Sequence, residues 1–307
     1  FFMFNIFLNE ILKISSSTKD SNFKEQTNLV SKFVSSLDDE NIKSIVKEIG
    51  IIPECIKASS SAEKLFSKSS DIILARAFIM LGLKSKALDG RGDSADVLAE
   101  SVFHKYSLVA DAKCFRLSRT AKNQKDFKVS ALSNWRGGEN EYAVLVSPYF
   151  QYPKEESQIY KSALNENVCL IAWEHISLLL ENNIRETENI SLESIWESSK
   201  MIARDSKISS AKNCFLPKVN KIVSKKLGFS EEQFTRSLNQ CKLSIIARGS
   251  TEITYCENKI ERIKNLTKEE AINELIKETK LEEKINVINS FISSLDTELE
   301  ENKNGQS

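Results

Sequence analysis

Asp96 and the pair Asp111 and Lys113, within Val109-Ala110-Asp111-Ala112-Lys113, are the residues of this chain best suited to chemistry. Alternate residues of a β-strand share a face, so Asp111 and Lys113 project together if the apolar run Tyr106 to Ala112 is extended. Asp96 opens the preceding short run, Asp96 to Ala99, and a hairpin around His104-Lys105 would bring it alongside. Two carboxylates and an ammonium at one point are the minimal equipment for metal-assisted phosphodiester hydrolysis. Hard carboxylate oxygens suit Mg2+, which keeps several waters and takes substrate phosphate as a further ligand. The ion stabilises charge on the scissile phosphate and acidifies a water, while a lysine orients that water or neutralises charge.

By itself the Asp/Glu-x-Lys pattern is a weak signal. It begins at Asp111, Asp126, Asp205, Glu257, Glu278, Glu282 and Glu301, and most of these read as surface helix charges. Only Asp111-Ala112-Lys113 follows an apolar β run with another acid on a neighbouring run. A structural ion pair is the competing reading.

Charge placement points to the same part of the chain. Lys plus Arg and Asp plus Glu are equal at 43 each, so no global field selects a partner. Between Lys113 and Arg136, however, seven basic residues meet one acid, Asp126, which makes the segment +6 and the remainder −6. The first six basics recur every third residue, a spacing that drifts about 60° per step around a helix and forms no single stripe. Part of the segment is therefore expected to be extended or turned. A solvated basic face is the plainer reading, and a polyanion site with polar readers at Thr120, Asn123 and Gln124 is the sharper one. Asn and Gln pair with adenine N6 and N7 in the major groove, and Lys or Arg with guanine O6 and N7. Asn123, Gln124, Lys122 and Lys125 then read bases, while Arg116 and Arg119 fix register on phosphates.

The elements that must position these residues can be read from periodicity. Gly and Pro number only 9 and 4 in 307 residues, which favours long helices over turn-dense β designs. A helical pattern covers Asn5 to Glu48 and stops at Gly50, and Ser60-x-x-Glu63 has capping-box form before a largely apolar helix running toward Leu81 and Gly82. Strand-like runs follow at Asp96 to Ala99, Tyr106 to Ala112, Tyr142 to Ser147 and Val168 to Ala172. Helical stretches lie at Gln124 to Trp135, Glu155 to Leu164 and Glu174 to Leu180. The expectation is an α/β fold, a mixed sheet core over 50–180 flanked by helices, with helical extensions over 1–49 and 181–307. The C-terminal region carries a second capping box, Thr267-x-x-Glu270, and reads either as a packed helical extension or as a dimerisation or partner-binding arm.

Several function classes fall away. The apolar stretch Ile72 to Leu83 is interrupted by Arg76 and is shorter than the roughly 20 residues of a membrane span. The six cysteines lack C-x-x-C spacing and a neighbouring histidine pair, so zinc and a disulfide framework are not expected; reduced, mostly buried thiols of a cytoplasmic protein are. Gly90-Arg91-Gly92-Asp93 lacks the strand-then-helix setting of a phosphate-binding loop. His104 reads as a hairpin residue and His175 as a packed one.

The stretch Leu108 to Val129 closely resembles the HindIII-like type II restriction endonucleases of the PD-(D/E)xK nuclease superfamily. So do Ile49-Gly50-Ile51-Ile52-Pro53-Glu54, Glu63-Lys64-Leu65-Phe66-Ser67-Lys68 and Phe150-Gln151-Tyr152-Pro153. The resemblance is strong from about Ile45 to Leu180 and returns at Thr267 to Leu275. It implies a restriction-endonuclease-like fold forming one domain over 1–307, and Mg2+-dependent hydrolysis of palindromic double-stranded DNA, with AAGCTT as the target. It also implies a homodimer, and a cognate DNA methyltransferase in the same cell. Catalysis falls to Asp96, Asp111 and Lys113, metal binding to Asp96, Asp111 and Ala112. DNA binding falls to Arg116, Arg119, Thr120, Ala121, Lys122, Asn123, Gln124, Lys125 and Asp126. Ala95 stands where the superfamily has proline before the first acid. The opposing reading is a catalytically silent DNA-binding or helical interaction protein.

Overall fold

The computed structural model describes residues 2–17, 22–88, 94–119, 124–205, 212–279, 281–282, 284–290 and 292–293. Of the residues singled out above, Thr120, Ala121, Lys122 and Asn123 lie outside them, as does Gly90-Arg91-Gly92-Asp93. The chain divides into two compact units, Phe1–Ser250 and Thr251–Ser307.

Three helices open the first unit: α1 (Phe2–Ser17), α2 (Phe23–Ser35) and α3 (Asp39–Val46). The single helical pattern read over Asn5 to Glu48 is thus divided, at N-caps Asn22 and Asp38, whose side chains accept the N–H groups of Lys24 and Asn41. Helix α3 ends four residues before Gly50, so this glycine is not its stop. It is required by contact instead: a Cβ there would stand 2.8 Å from Cδ1 of Trp173 and 3.0 Å from Cγ of Pro148.

Helix α4 (Ser61–Met80) is buried on most sides, through residues such as Phe66, Ile73, Leu74 and Phe78. Ser60 caps it by accepting the Glu63 N–H at 3.2 Å, and the Glu63 carboxylate reaches back to the Ser59 N–H rather than to Ser60. The helix stops as expected before Gly82, at φ +95°, where a Cβ would lie 2.7 Å from the Glu186 carbonyl oxygen.

The sheet has five strands in the order β1 (Leu83–Ala87), β2 (Val97–Ser101), β3 (Ser107–Ala112), β4 (Tyr142–Ser147) and β5 (Val168–Ala172). The first three are antiparallel neighbours and the last three parallel ones. Strand β1 was not foreseen. It is an edge strand with Lys84 and Lys86 turned outward and only Leu83 buried, so it carries no apolar signal. Strands β4 and β5 are buried at every residue. Each large apolar side chain buried there contributes about 1.5–3 kcal/mol, so this is where the sheet is anchored.

Helices α5 (Gln124–Phe127) and α6 (Val129–Arg136) make the β3-to-β4 crossover, and α7 (Gln158–Asn165) the next one. The continuous helix expected over Gln124 to Trp135 is broken at Lys128, which sits in the left-handed region at φ 47°. Helix α8 (Trp173–Glu181) follows β5 directly, and the unit continues through α9 (Glu193–Trp196), α10 (Ser198–Ala203), α11 (Lys212–Leu227) and the start of α12 (Glu231–Lys264). The fold class agrees with the expectation: a mixed sheet flanked by helices.

The second unit holds the end of α12 and α13 (Lys268–Glu278). Thr267 and Glu270 form the reciprocal capping box predicted from spacing, at 3.3 and 2.8 Å. No residue of α13 is buried. Among the described residues no helix is long and apolar enough to cross a membrane. The six cysteines are free, but the expectation that most are buried fails: only Cys169 is, and Cys55 and Cys256 are exposed.

Candidate active site

The hairpin register determines where the acids meet. Val97 pairs with Ala110 and Leu98 with Val109, so one further step sets Asp96 opposite Asp111. The turn closes through Lys105, at φ 52°. Asp111 is the penultimate residue of β3, and Lys113 follows the strand with its N–H on the Val146 carbonyl at 2.7 Å. The Lys113 ammonium is in direct contact with Asp111 Oδ2. Asp96, Asp111 and Lys113 thus converge as the spacing suggested.

Helix α4 adds two residues that lie outside the Asp96, Asp111 and Lys113 motif. Asp71 brings a third carboxylate, and one oxygen from each of Asp71, Asp96 and Asp111 lies within 4.8 Å of the others. Asp71 Oδ1 accepts the Ala112 N–H at 3.2 Å, which ties the helix to β3. Lys68, one turn earlier, donates to Asp96 Oδ1 at 2.9 Å and lies 3.7 Å from Asp71 Oδ2. A signal for them was present in the sequence. A Lys and an Asp three apart on a largely apolar helix call for opposite charge beside them where the helix is buried.

Three acids and two ammoniums leave the cluster electronegative. Burial pushes the Asp71 carboxyl well above the ordinary carboxylate range, and the charges of Asp96 and Asp111 push the same way, against Lys68 and the Ala112 N–H. Burial also raises Asp111, with Lys113 acting in the opposite direction. Asp111 Oδ2 is buried with no donor aligned on it as a hydrogen bond, although the Lys113 ammonium touches it. Ionised carboxylates crowded in this way are relieved by a further cation, and an all-oxygen donor set suits Mg2+ or Mn2+. The residues fit a divalent ion.

The cluster lies in an open cleft of about 810 Å³, which Ala112 also lines. Asn22, Phe23 and Lys24 at the start of α2 also line it, a contribution that nothing in the sequence indicated. Arg119 stands at the rim, paired with Asp126 at 2.7 Å and stacked over the Phe115 ring. Arg116 is differently placed. Its guanidinium donates to Glu63 at 2.7 Å and to the Pro53 carbonyl at 3.0 Å, so its charge is paired within the protein. Gln124 donates to Ser162 Oγ at 3.3 Å, and Lys125 is exposed.

Neither histidine joins the cluster. His104 holds the Thr187 carbonyl at 2.7 Å. His175 is fully buried; its Nδ1 accepts the Ala172 N–H, so its Nε2 donates to Asn220 Oδ1 at 2.8 Å.

The profile of the HindIII restriction endonuclease family matches residues 5–292 of the chain. The chain is also 43% identical over 288 residues to the Type II restriction enzyme HindIII of Haemophilus influenzae, an alignment covering 94% of this chain and 96% of that one.

Proposed function

The chain belongs to the HindIII restriction endonuclease family of type II restriction enzymes, and from that premise we propose a Mg2+-dependent cut of palindromic double-stranded DNA made at the Asp71–Asp96–Asp111 cluster. The observation that carries this reading is the convergence of those carboxylates with Lys113 at the end of one strand. Asp96, Asp111 and Ala112 hold the cation, with Asp71 completing the acidic wall. Bound there, a divalent ion supplies charge neutralisation at the scissile phosphate and an acidified water. Lys113 orients the attacking water or neutralises charge on the phosphate oxygens, and the carboxylates around it keep its ammonium in place. Arg119 contacts the DNA backbone, and the segment carrying Lys122, Asn123, Gln124 and Lys125 reads base edges, with AAGCTT as the proposed target.

A palindromic target calls for two copies related by a two-fold axis. Exposed apolar residues on the second unit's part of α12 support such a homodimer: Ile253 and Ile260 stand seven residues apart, with Ile263 beside them. The protein acts in the cytoplasm on entering DNA, and a methyltransferase in the same cell protects the host's own sites. Residues 1–307, in their two compact units, act as one endonuclease domain in this reading.

The test is digestion of a plasmid of known sequence with the purified protein and Mg2+. Discrete fragments ending at AAGCTT are expected, and Asp111→Asn should abolish them while the duplex still shifts on a gel. Relaxed circles, or intact but shifted plasmid from the wild type, would overturn the proposal.

A further inference from the structure

Lys68 has no part in the chemistry described so far, yet it is the most tightly enclosed cation of the site. Its side chain is 8% exposed, and its ammonium lies between Asp96 Oδ1 at 2.9 Å and Asp71 Oδ2 at 3.7 Å. Among the described residues it is the one side chain that hydrogen-bonds the Asp96 carboxylate. Withdrawing a lysine this far from water is unfavourable unless opposite charge surrounds it, and here two carboxylates do. The opposite end of the cluster is occupied by Lys113 on Asp111, so one ammonium stands at each side of three acids.

We propose that Lys68 is a positioning residue that takes a cation's place between Asp71 and Asp96 in the metal-free protein and competes with the metal for those oxygens. The inference rests on the reading of the cluster as a metal site. With both lysines present the protein offers at most one net negative charge. That is a weak field for a hydrated divalent ion, which otherwise gathers carboxylates and a substrate phosphate together. Lys68 keeps Asp71 and Asp96 from driving the hairpin away from α4 while no metal is bound, at the cost of affinity once metal arrives.

The experiment is a Mn2+ titration of the full chain without DNA, followed by electron paramagnetic resonance, with thermal melting in parallel. Lys68→Met should bind Mn2+ about tenfold more tightly than the wild type, within the usual range for coupled sites. It should melt at lower temperature without metal and gain more on adding Mn2+, while Lys68→Arg stays close to the wild type in both measurements. Unchanged or weaker Mn2+ binding by Lys68→Met would overturn the proposal. If that variant fails to fold, Lys68→Met combined with Asp96→Asn decides instead. Removing both charges should restore metal-free melting toward the wild type, and additive losses would overturn the idea. Asp111→Asn separates this inference from the one beneath it. Loss of Mn2+ by Asp111→Asn with no change in Lys68→Met removes only the role of Lys68, whereas wild-type Mn2+ binding by Asp111→Asn removes the metal site and the inference together.

Discussion

Asp71 Oδ1 accepts the backbone N–H of Ala112 at 3.2 Å, so a helix carboxylate is fastened to the one strand residue lying between Asp111 and Lys113. The bond places α4 and β3 in register at the cluster and leaves Asp71 Oδ2 turned toward Lys68. It explains how a helix remote in sequence comes to share a site with a strand motif.

Replacing Asp71 with Asn keeps an acceptor for the Ala112 N–H and removes the charge. Cleavage under Mg2+ should fall by about 10–100-fold, the usual range for groups that support a metal site. Metal-free melting should rise, because one of three repelling acids is gone. Single-turnover cleavage across a Mg2+ series checks the first outcome, and a wild-type rate would remove Asp71 from the site.

Gly50 and Trp173 couple the core to the end of β3. The Trp173 indole N–H donates to the Lys113 carbonyl at 3.0 Å, and a Cβ at residue 50 would press on that ring at 2.8 Å. Gly50→Ala is therefore expected to destabilise the protein by about 1–3 kcal/mol through overpacking. It should also lower the cleavage rate at saturating DNA and Mg2+, because Lys113 shifts with the ring. Urea melts and rate measurements on one preparation test both, and undiminished values would show that the ring yields freely.

Adjacent residues Glu174 and His175 oppose each other in pH dependence. Burial raises the Glu174 carboxyl from 4.5 to about 7, so its stabilising contribution is complete below pH 4.5 and is lost as pH rises to 7. Burial lowers the His175 imidazole from 6.5 to about 4, so its contribution is complete above pH 6.5 and is lost as pH falls to 4. Each effect is on the order of 3 kcal/mol, and between pH 4.5 and 6.5 they offset. Glu174→Gln should then unmask His175: stability should climb with pH over that window more steeply than in the wild type, and at pH 8 the variant should be the more stable. Parallel denaturation profiles for the two proteins would refute the assignment.

DNA contacts should divide by salt and by sequence. Arg119, at the cleft rim, is expected to act on phosphate. Arg119→Ala should weaken cognate and random duplex about equally and reduce the salt slope by about one. Asn123→Ala, at a position outside the described residues, should weaken the cognate site alone, by about 1–3 kcal/mol. Equal losses on both duplexes for Asn123→Ala would move base reading elsewhere.

Periodicity and local chemistry determined much of this protein directly from its sequence. The apolar runs at Asp96, Tyr106, Tyr142 and Val168 set four strands, because a buried strand shows a short apolar run whatever surrounds it. The pairing of Asp96 with Asp111 and Lys113 was legible too, since a hairpin register is a local property. Tertiary structure alone decided the rest. Strand β1 exists because β2 offers it an edge, not because Leu83-Lys84-Ser85-Lys86-Ala87 has strand character. Asp71 and Lys68 reach the site through the packing of α4 against the sheet, and Arg116 is withdrawn from the basic segment by Glu63, 53 residues earlier in the chain. Those contacts join residues tens of positions apart, and long-range packing leaves no period in the sequence from which to read it.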